Sequence, residues 1–139
     1  MPTLDSYLFF DGQCAEAMRF YETVLGGQLR DLLTYAQSPD PNACGPVDPA
    51  RIMHACLVLP DGRLLMASDC PAGMYQAPQG FSLALNYPTA DEARKVFDKL
   101  ANGGKVTMPM AKTFWTEAFG MVTDRFGTPW MVGGGAQQR

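Results

Sequence analysis

The sequence predicts an α+β protein built twice on one plan, βαβββ: a strand, a helix and three further strands. Three observations predict it. Two amphipathic segments of helical period each end at a glycine pair. An apolar strand-like run precedes each of them, and a hairpin pattern follows. Glu16-Ala17 recurs as Glu92-Ala93 and Gly26-Gly27 as Gly103-Gly104, and the two offsets differ by a single residue.

The elements follow in order. Tyr7-Leu8-Phe9-Phe10 is a short apolar strand that stops at the turn pair Asp11-Gly12. Both sides of its alternation are apolar, so the pattern does not choose which side faces inward. From Ala15 to Leu25, the residues Ala17, Met18, Tyr21, Val24 and Leu25 make one apolar stripe at helical spacing. A strand is expected from Leu29 to Tyr35. Ala36 to Ala50 carries four prolines and reads as a mobile flap. Ile52 to Leu59 and Arg63 to Ser68 flank Pro60-Asp61-Gly62 and read as a hairpin.

In the second half, Phe81 to Tyr87 is a strand ended by Pro88. Thr89-Ala90-Asp91-Glu92 has the capping-box pattern, in which a hydroxyl takes an orphan amide at the helix start. Ala93, Val96, Phe97, Leu100 and Ala101 supply the buried stripe of the helix. Thr107 to Ala118 reads as a loop holding Pro109, Phe114 and Trp115. Phe119 to Thr123 and Trp130 to Gly133 form the closing hairpin. One domain over residues 1–139 is expected, made of modules at about 1–70 and 80–135.

Composition narrows the function. The net charge is −3, and no run of Lys and Arg is longer than the pair Arg94-Lys95. A nucleic-acid partner needs a basic stripe, so none is expected. No apolar run approaches the roughly 20 residues that span a bilayer, so no membrane partner is expected. The first ten residues lack a basic segment before their apolar run and do not read as a secretory signal. Cys14, Cys44, Cys56 and Cys70 form no C-x-x-C pair, and a domain with a full core does not need disulfides. Reduced thiols and a cytoplasmic location are expected.

The text of the chain then resembles a known family. Tyr7 to Cys14 leading into Phe20-Tyr21 and Gly26-Gly27 is similar to the opening of PhnB-like proteins of the vicinal oxygen chelate superfamily. Ile52-Met53-His54-Ala55, Leu65 to Asp69, Thr113-Phe114-Trp115 and Phe119-Gly120-Met121 through Asp124-Arg125-Phe126-Gly127 to Trp130-Met131 continue the likeness in order. The resemblance implies the glyoxalase/bleomycin-resistance fold, with two βαβββ modules forming curled mixed sheets. It also implies a homodimer and a cavity for a small molecule. Many such relatives hold a divalent metal with His, Glu or Gln from the first and last strands of each module.

Here those strands offer Asp5, Ser6 and Tyr7, then Met66 and Ser68, then Ser82, Leu83 and Leu85, and finally Met131. Thioether, hydroxyl and alkyl groups are poor donors to a hard divalent ion. No metal and no other cofactor is expected.

His54 is the only histidine. An imidazole suits general acid/base work, but a strand histidine is also an ordinary hydrogen-bonded side chain. Asp69 ends a neighbouring strand, where it either orients His54 or caps a turn. Phe114 and Trp115 suit stacking on a flat ligand or sealing a dimer interface. Tyr7 and Asn86 offer polar groups to a cavity; packing and turn roles compete. Met53, Met66, Met121 and Met131 suit an adaptable apolar lining or plain core filling. Cys14 sits at a helix start, where the dipole lowers a thiol pKa unless burial opposes it. The candidate ligand-binding set is Tyr7, His54, Met66, Asp69, Phe114, Trp115 and Met131, with His54 as the candidate base.

Two functions compete. One is metal-independent binding of a small, partly aromatic or apolar molecule. The other is a metal-dependent lyase, isomerase or dioxygenase-type enzyme acting on a vicinal oxygen substrate. A third reading is a structural module whose cavity is filled by its own side chains.

Overall fold

The computed structural model describes residues 2–38, 48–71 and 73–136. Two compact units divide the chain, Met1–Gln76 and Ala77–Arg139.

In the first unit, β1 (Ser6–Phe10) leads to α1 (Cys14–Leu25), then β2 (Gln28–Thr34), β3 (Ile52–Val58) and β4 (Leu64–Asp69). The sheet order is β1-β4-β3-β2. β1 runs parallel to β4, and the other neighbours are antiparallel. Helix α1 covers one face with its predicted stripe, burying Ala17, Met18, Tyr21 and Val24, while Leu25 is only half-buried. Leu8 and Phe10 lie beneath it, and Tyr7 and Phe9 point the other way, 41% and 54% exposed. The ambiguous alternation of the first strand is thereby resolved. The smaller Leu8 and the deeper Phe10 go to the helix side, together with Ala55, Leu57, Leu65 and Ala67.

The flap expected at Ala36–Ala50 falls largely on residues 39–47, outside the described residues, as does Cys44. Its stem is described. Tyr35–Gln37 forms one 3-10 turn, with the Thr34 amide donating to Gln37 Oε1 at 2.9 Å. The Tyr35 amide donates to the Arg51 carbonyl at 3.0 Å, which closes the base of the segment.

The second unit follows the same order: β5 (Leu83–Tyr87), α2 (Ala90–Ala101), β6 (Lys105–Ala111), β7 (Thr116–Thr123) and β8 (Pro129–Ala136). Its sheet order is β5-β8-β7-β6, with β5 parallel to β8. Thr89 caps α2, accepting the Glu92 amide at 3.2 Å and donating its hydroxyl to Glu92 Oε1 at 3.0 Å. Gly134 sits directly under α2, where a Cβ would strike the Thr89 carbonyl and the Ala93 methyl. Asp124 closes the β7–β8 hairpin, accepting the Phe126 and Thr128 amides and the Trp130 indole N–H at 2.8, 3.1 and 2.8 Å.

The loop expected at Thr107–Ala118 is shorter at both ends. Residues 116–118 belong to strand β7, and residues 107–111, also read as loop, belong to strand β6. Pro109 is tolerated there because β6 is an edge strand and its register with β7 shifts between Met108 and Ala111. A missing N–H costs little where no ladder bond is required.

Candidate functional site

Each sheet has one face covered by its helix and one open face, and the sequence-predicted residues divide between them. Strand alternation and register build the open face of the first unit in two rows. In one row Tyr7 pairs with Met66, and Met66 with Cys56. In the other, Phe9 pairs with Ser68, and His54 with Leu33. The Tyr7 ring lies 5.1 Å from that of Phe9 and 6.2 Å from that of His54, centroid to centroid, both tilted. Tyr7, His54 and Met66 are therefore brought together.

Asp69 is not among them. It lies on the helix side, 2% exposed. Its Oδ1 accepts the amides of Gly12 and Cys14 at 2.8 and 3.0 Å, and its Oδ2 accepts that of Ile52 at 2.9 Å. Of the two alternatives, orienting His54 or capping a turn, the first does not form, because alternation places the two side chains on opposite faces. Asp69 instead does the work of a helix cap, since Gln13 at the start of α1 makes no side-chain cap bond. His54 is half-buried, and its imidazole has no hydrogen-bond partner among the described residues. The hydrogen-bonded structural histidine of the alternative reading is thus not what is found.

Cys14 is a buried small hydrophobe rather than a dipole-activated thiol. It is fully buried, and burial followed by the nearby Asp69 charge pushes its thiol pKa well above the ordinary range. Desolvation outweighs the helix dipole here. Cys14, Cys56 and Cys70 are free thiols. Arg30 extends over Cys56, with its guanidinium 3.4 Å from the sulfur.

The open face of the second unit carries Asn86, Phe119, Met121, Met131 and the bare Cα of Gly133, again by alternation and register. Phe114, Trp115 and Phe119 form an edge-to-face row, with centroids 4.8 and 5.4 Å apart. Phe114 is 82% exposed and Trp115 40%. Met53 does not join an open-face row; it is half-buried at the register shift of β3 against β2.

Sequence reasoning missed Phe9, Cys56 and Phe119. The available signal was the alternation from Tyr7 to Phe9 and from Phe119 to Met121, which becomes usable only once a face is assigned. One hollow among the described residues lies elsewhere. It measures about 640 Å³ and is bordered by Thr3–Asp5 and Asp61–Leu64, where Asp5 Oδ1 takes the Leu64 amide at 3.0 Å.

A divalent metal does not suit these donors. The first open face offers one phenol, one imidazole, one thiol, one hydroxyl, a thioether and, opposite Cys56, the Asp31 carboxylate, which Arg30 pairs; the second offers an amide, the Glu117 carboxylate and thioethers. Among the described residues, no three His, Cys, Asp or Glu side chains come together. Every fully buried side-chain nitrogen or oxygen among them already has a hydrogen-bond partner.

The family model for the Glyoxalase/Bleomycin resistance protein/Dioxygenase superfamily matches residues 3–132. The chain belongs to that superfamily. Within it, the chain is similar to protein PA1353 from Pseudomonas aeruginosa, at 42% identity and a TM-score of 0.88, over 99% of this chain and 100% of that one. It is 33% identical to Protein YjdN of Escherichia coli K12, over 93% of this chain and 92% of that protein. The PhnB protein from Bacillus cereus matches at 27% identity and a TM-score of 0.79, over 96% of this chain and 99% of that one. This superfamily member therefore stands in the PhnB-like branch, and its two four-stranded sheets have the glyoxalase/bleomycin-resistance fold without closing into barrels.

Proposed function

We propose that this protein binds a small, partly aromatic molecule on the open faces of its sheets, without a metal ion. The observation that carries the reading is the exposed aromatic surface. Tyr7 and Phe9 on one sheet, and Trp115 with Phe114 on the other, stand out from faces where carboxylates and imidazoles would be needed to hold a cation. Exposed rings cost solvation, and a flat ligand recovers it by burial and by ring stacking. Met66, Met121 and Met131 add adaptable apolar contacts to the same faces.

The two units act as one domain in this reading, in a homodimer located in the cytoplasm. The dimer is supported by Leu33, Val106 and Met108, which are 40%, 43% and 45% exposed on edge strands. Light scattering at micromolar concentration tests it, and a monomer contradicts it. No basic stripe suggests nucleic acid, and among the described residues no helix is long and apolar enough to cross a membrane.

A thermal-shift screen of aromatic small molecules in EDTA tests the binding reading. Ligand binding raises the melting temperature by mass action. The expected result is a rise that persists in EDTA and shrinks in Tyr7→Ala or in Trp115→Ala, whichever sheet carries the ligand. A rise that appears only when Mn²⁺ or Zn²⁺ is restored overturns it.

One observation favours a second reading. The His54 imidazole stands on the open face with no hydrogen-bond partner among the described residues, beside Tyr7. That placement suits a general base for a lyase, isomerase or dioxygenase-type reaction on a vicinal oxygen substrate. His54→Gln separates the readings, because it abolishes turnover by such an enzyme and leaves binding to the aromatic rows intact.

A further inference from the structure

The second sheet holds an unused polar group beside its aromatic row. Asn86 is exposed on β5, and among the described residues its carboxamide makes no hydrogen bond. It leans over Gly133 of β8. A Cβ built on Gly133 would lie 3.3 Å from Asn86 Oδ1 and 3.6 Å from Phe119 Cδ1, so the amide and the ring converge on one point. Trp115 and Phe114 continue the row from Phe119.

Nothing in the backbone demands glycine at this position. Gly133 lacks the positive φ of Gly135 and does not face the helix as Gly134 does. Its effect is local: with no side chain at Gly133, the Asn86 amide and the Phe119 ring border the same open space above its Cα.

A carboxamide offers one acceptor and two donors in a plane. Its best partner is a group presenting N–H and C=O side by side, which pairs through two hydrogen bonds whichever way the amide is turned. We propose that Asn86 selects flat ligands with a lactam or imide edge, pairing with that edge while the ring system packs on Phe119 and Trp115. Gly133 acts as the positioning residue. The proposal rests on the ligand-binding reading above and names the class of molecule bound.

Three probes test it, each titrated into the full chain and followed by backbone amide NMR: 2-quinolone, its N-methyl derivative and naphthalene. The expected result is that 2-quinolone shifts the Asn86 and Gly133 signals. Blocking its N–H, or replacing it by naphthalene, weakens binding about tenfold, the usual effect of losing a hydrogen-bonded pair. Asn86→Leu removes the preference for 2-quinolone while naphthalene binding stays. Gly133→Ala keeps the fold and lowers the preference by lifting the amide.

Equal affinity for all three probes, or an unchanged preference in Asn86→Leu, overturns the Asn86 assignment and leaves the aromatic surface as the site. A preference unchanged in Gly133→Ala overturns the role of Gly133. If neither 2-quinolone nor naphthalene binds the unaltered protein, the ligand-binding reading falls as well.

Discussion

The Asp69 carboxylate accepts the backbone N–H of Cys14 at 3.0 Å, joining the last residue of β4 to the first residue of α1 across 55 positions of sequence. The same side chain takes the amides of Gly12 and Ile52. One buried carboxylate thus holds together the strand-to-helix turn and the entry of β3. Arg51 reinforces the spot, donating to Asp11 Oδ1 at 2.9 Å and to the Cys70 carbonyl at 2.7 Å.

Replacing Asp69 by Ala strands two buried amides, those of Cys14 and Ile52, and a part-buried third, that of Gly12. Each unsatisfied buried donor costs about 1–3 kcal/mol, so Asp69→Ala is expected to lose about 3 kcal/mol or more of unfolding free energy. Urea denaturation checks this. A loss below about 1 kcal/mol would show that the carboxylate is not the cap described.

The Cys14 thiol has a second consequence, in alkaline solution. Burial and the Asp69 charge raise its pKa in the folded state, whereas the unfolded thiol ionises near its ordinary value. Folding stability from this group is therefore complete below the unfolded pKa and declines as pH rises above it. The slope is about 1.4 kcal/mol per pH unit for one proton. Burial also raises the pKa values of Cys70 and Tyr87, which act with the same sign. Unfolding free energy measured between neutral pH and the alkaline range is expected to fall, and Cys14→Ala to make the fall shallower. An identical slope in Cys14→Ala contradicts the assignment.

Neighbouring glycines on β8 are expected to respond oppositely. Gly134→Ala drives a methyl into the Thr89 carbonyl beneath α2, a backbone atom that cannot turn aside. Overpacking of this kind costs about 1–3 kcal/mol. Gly133→Ala meets only the end of the Asn86 side chain and a ring edge at ordinary distance, so its melting temperature stays within a few degrees of the parent. Thermal denaturation of the two variants side by side tests the assignment of faces. Equal losses would mean that the open and covered faces of β8 have been exchanged.

What was legible in the sequence was local. The stripes Ala17-Met18-Tyr21-Val24 and Ala93-Val96-Phe97-Leu100 repeat at helical spacing, and both are buried as that spacing requires. Thr89 and Glu92 lie within one turn, so their capping bond is readable from four letters. The cap on α1 comes from Asp69, far along the chain, and no local pattern announces it. Strand β6 was obscured by Pro109, which reads as a breaker until the strand is known to be an edge. The open face of the first sheet was hidden because Tyr7-Leu8-Phe9-Phe10 is apolar on both sides. Only packing against α1 separates Leu8 and Phe10 from Tyr7 and Phe9, and with them the two rows that Met66 and His54 join.

That no three His, Cys, Asp or Glu side chains come together among the described residues is tested most directly by calorimetric titration of Zn²⁺ and Mn²⁺ into chelator-stripped protein. No binding tighter than about 10 μM is expected of either ion. One ion per chain bound at micromolar affinity or tighter, with its heat abolished by His54→Gln, would contradict a metal-free site and make a metal-assisted catalyst the better account.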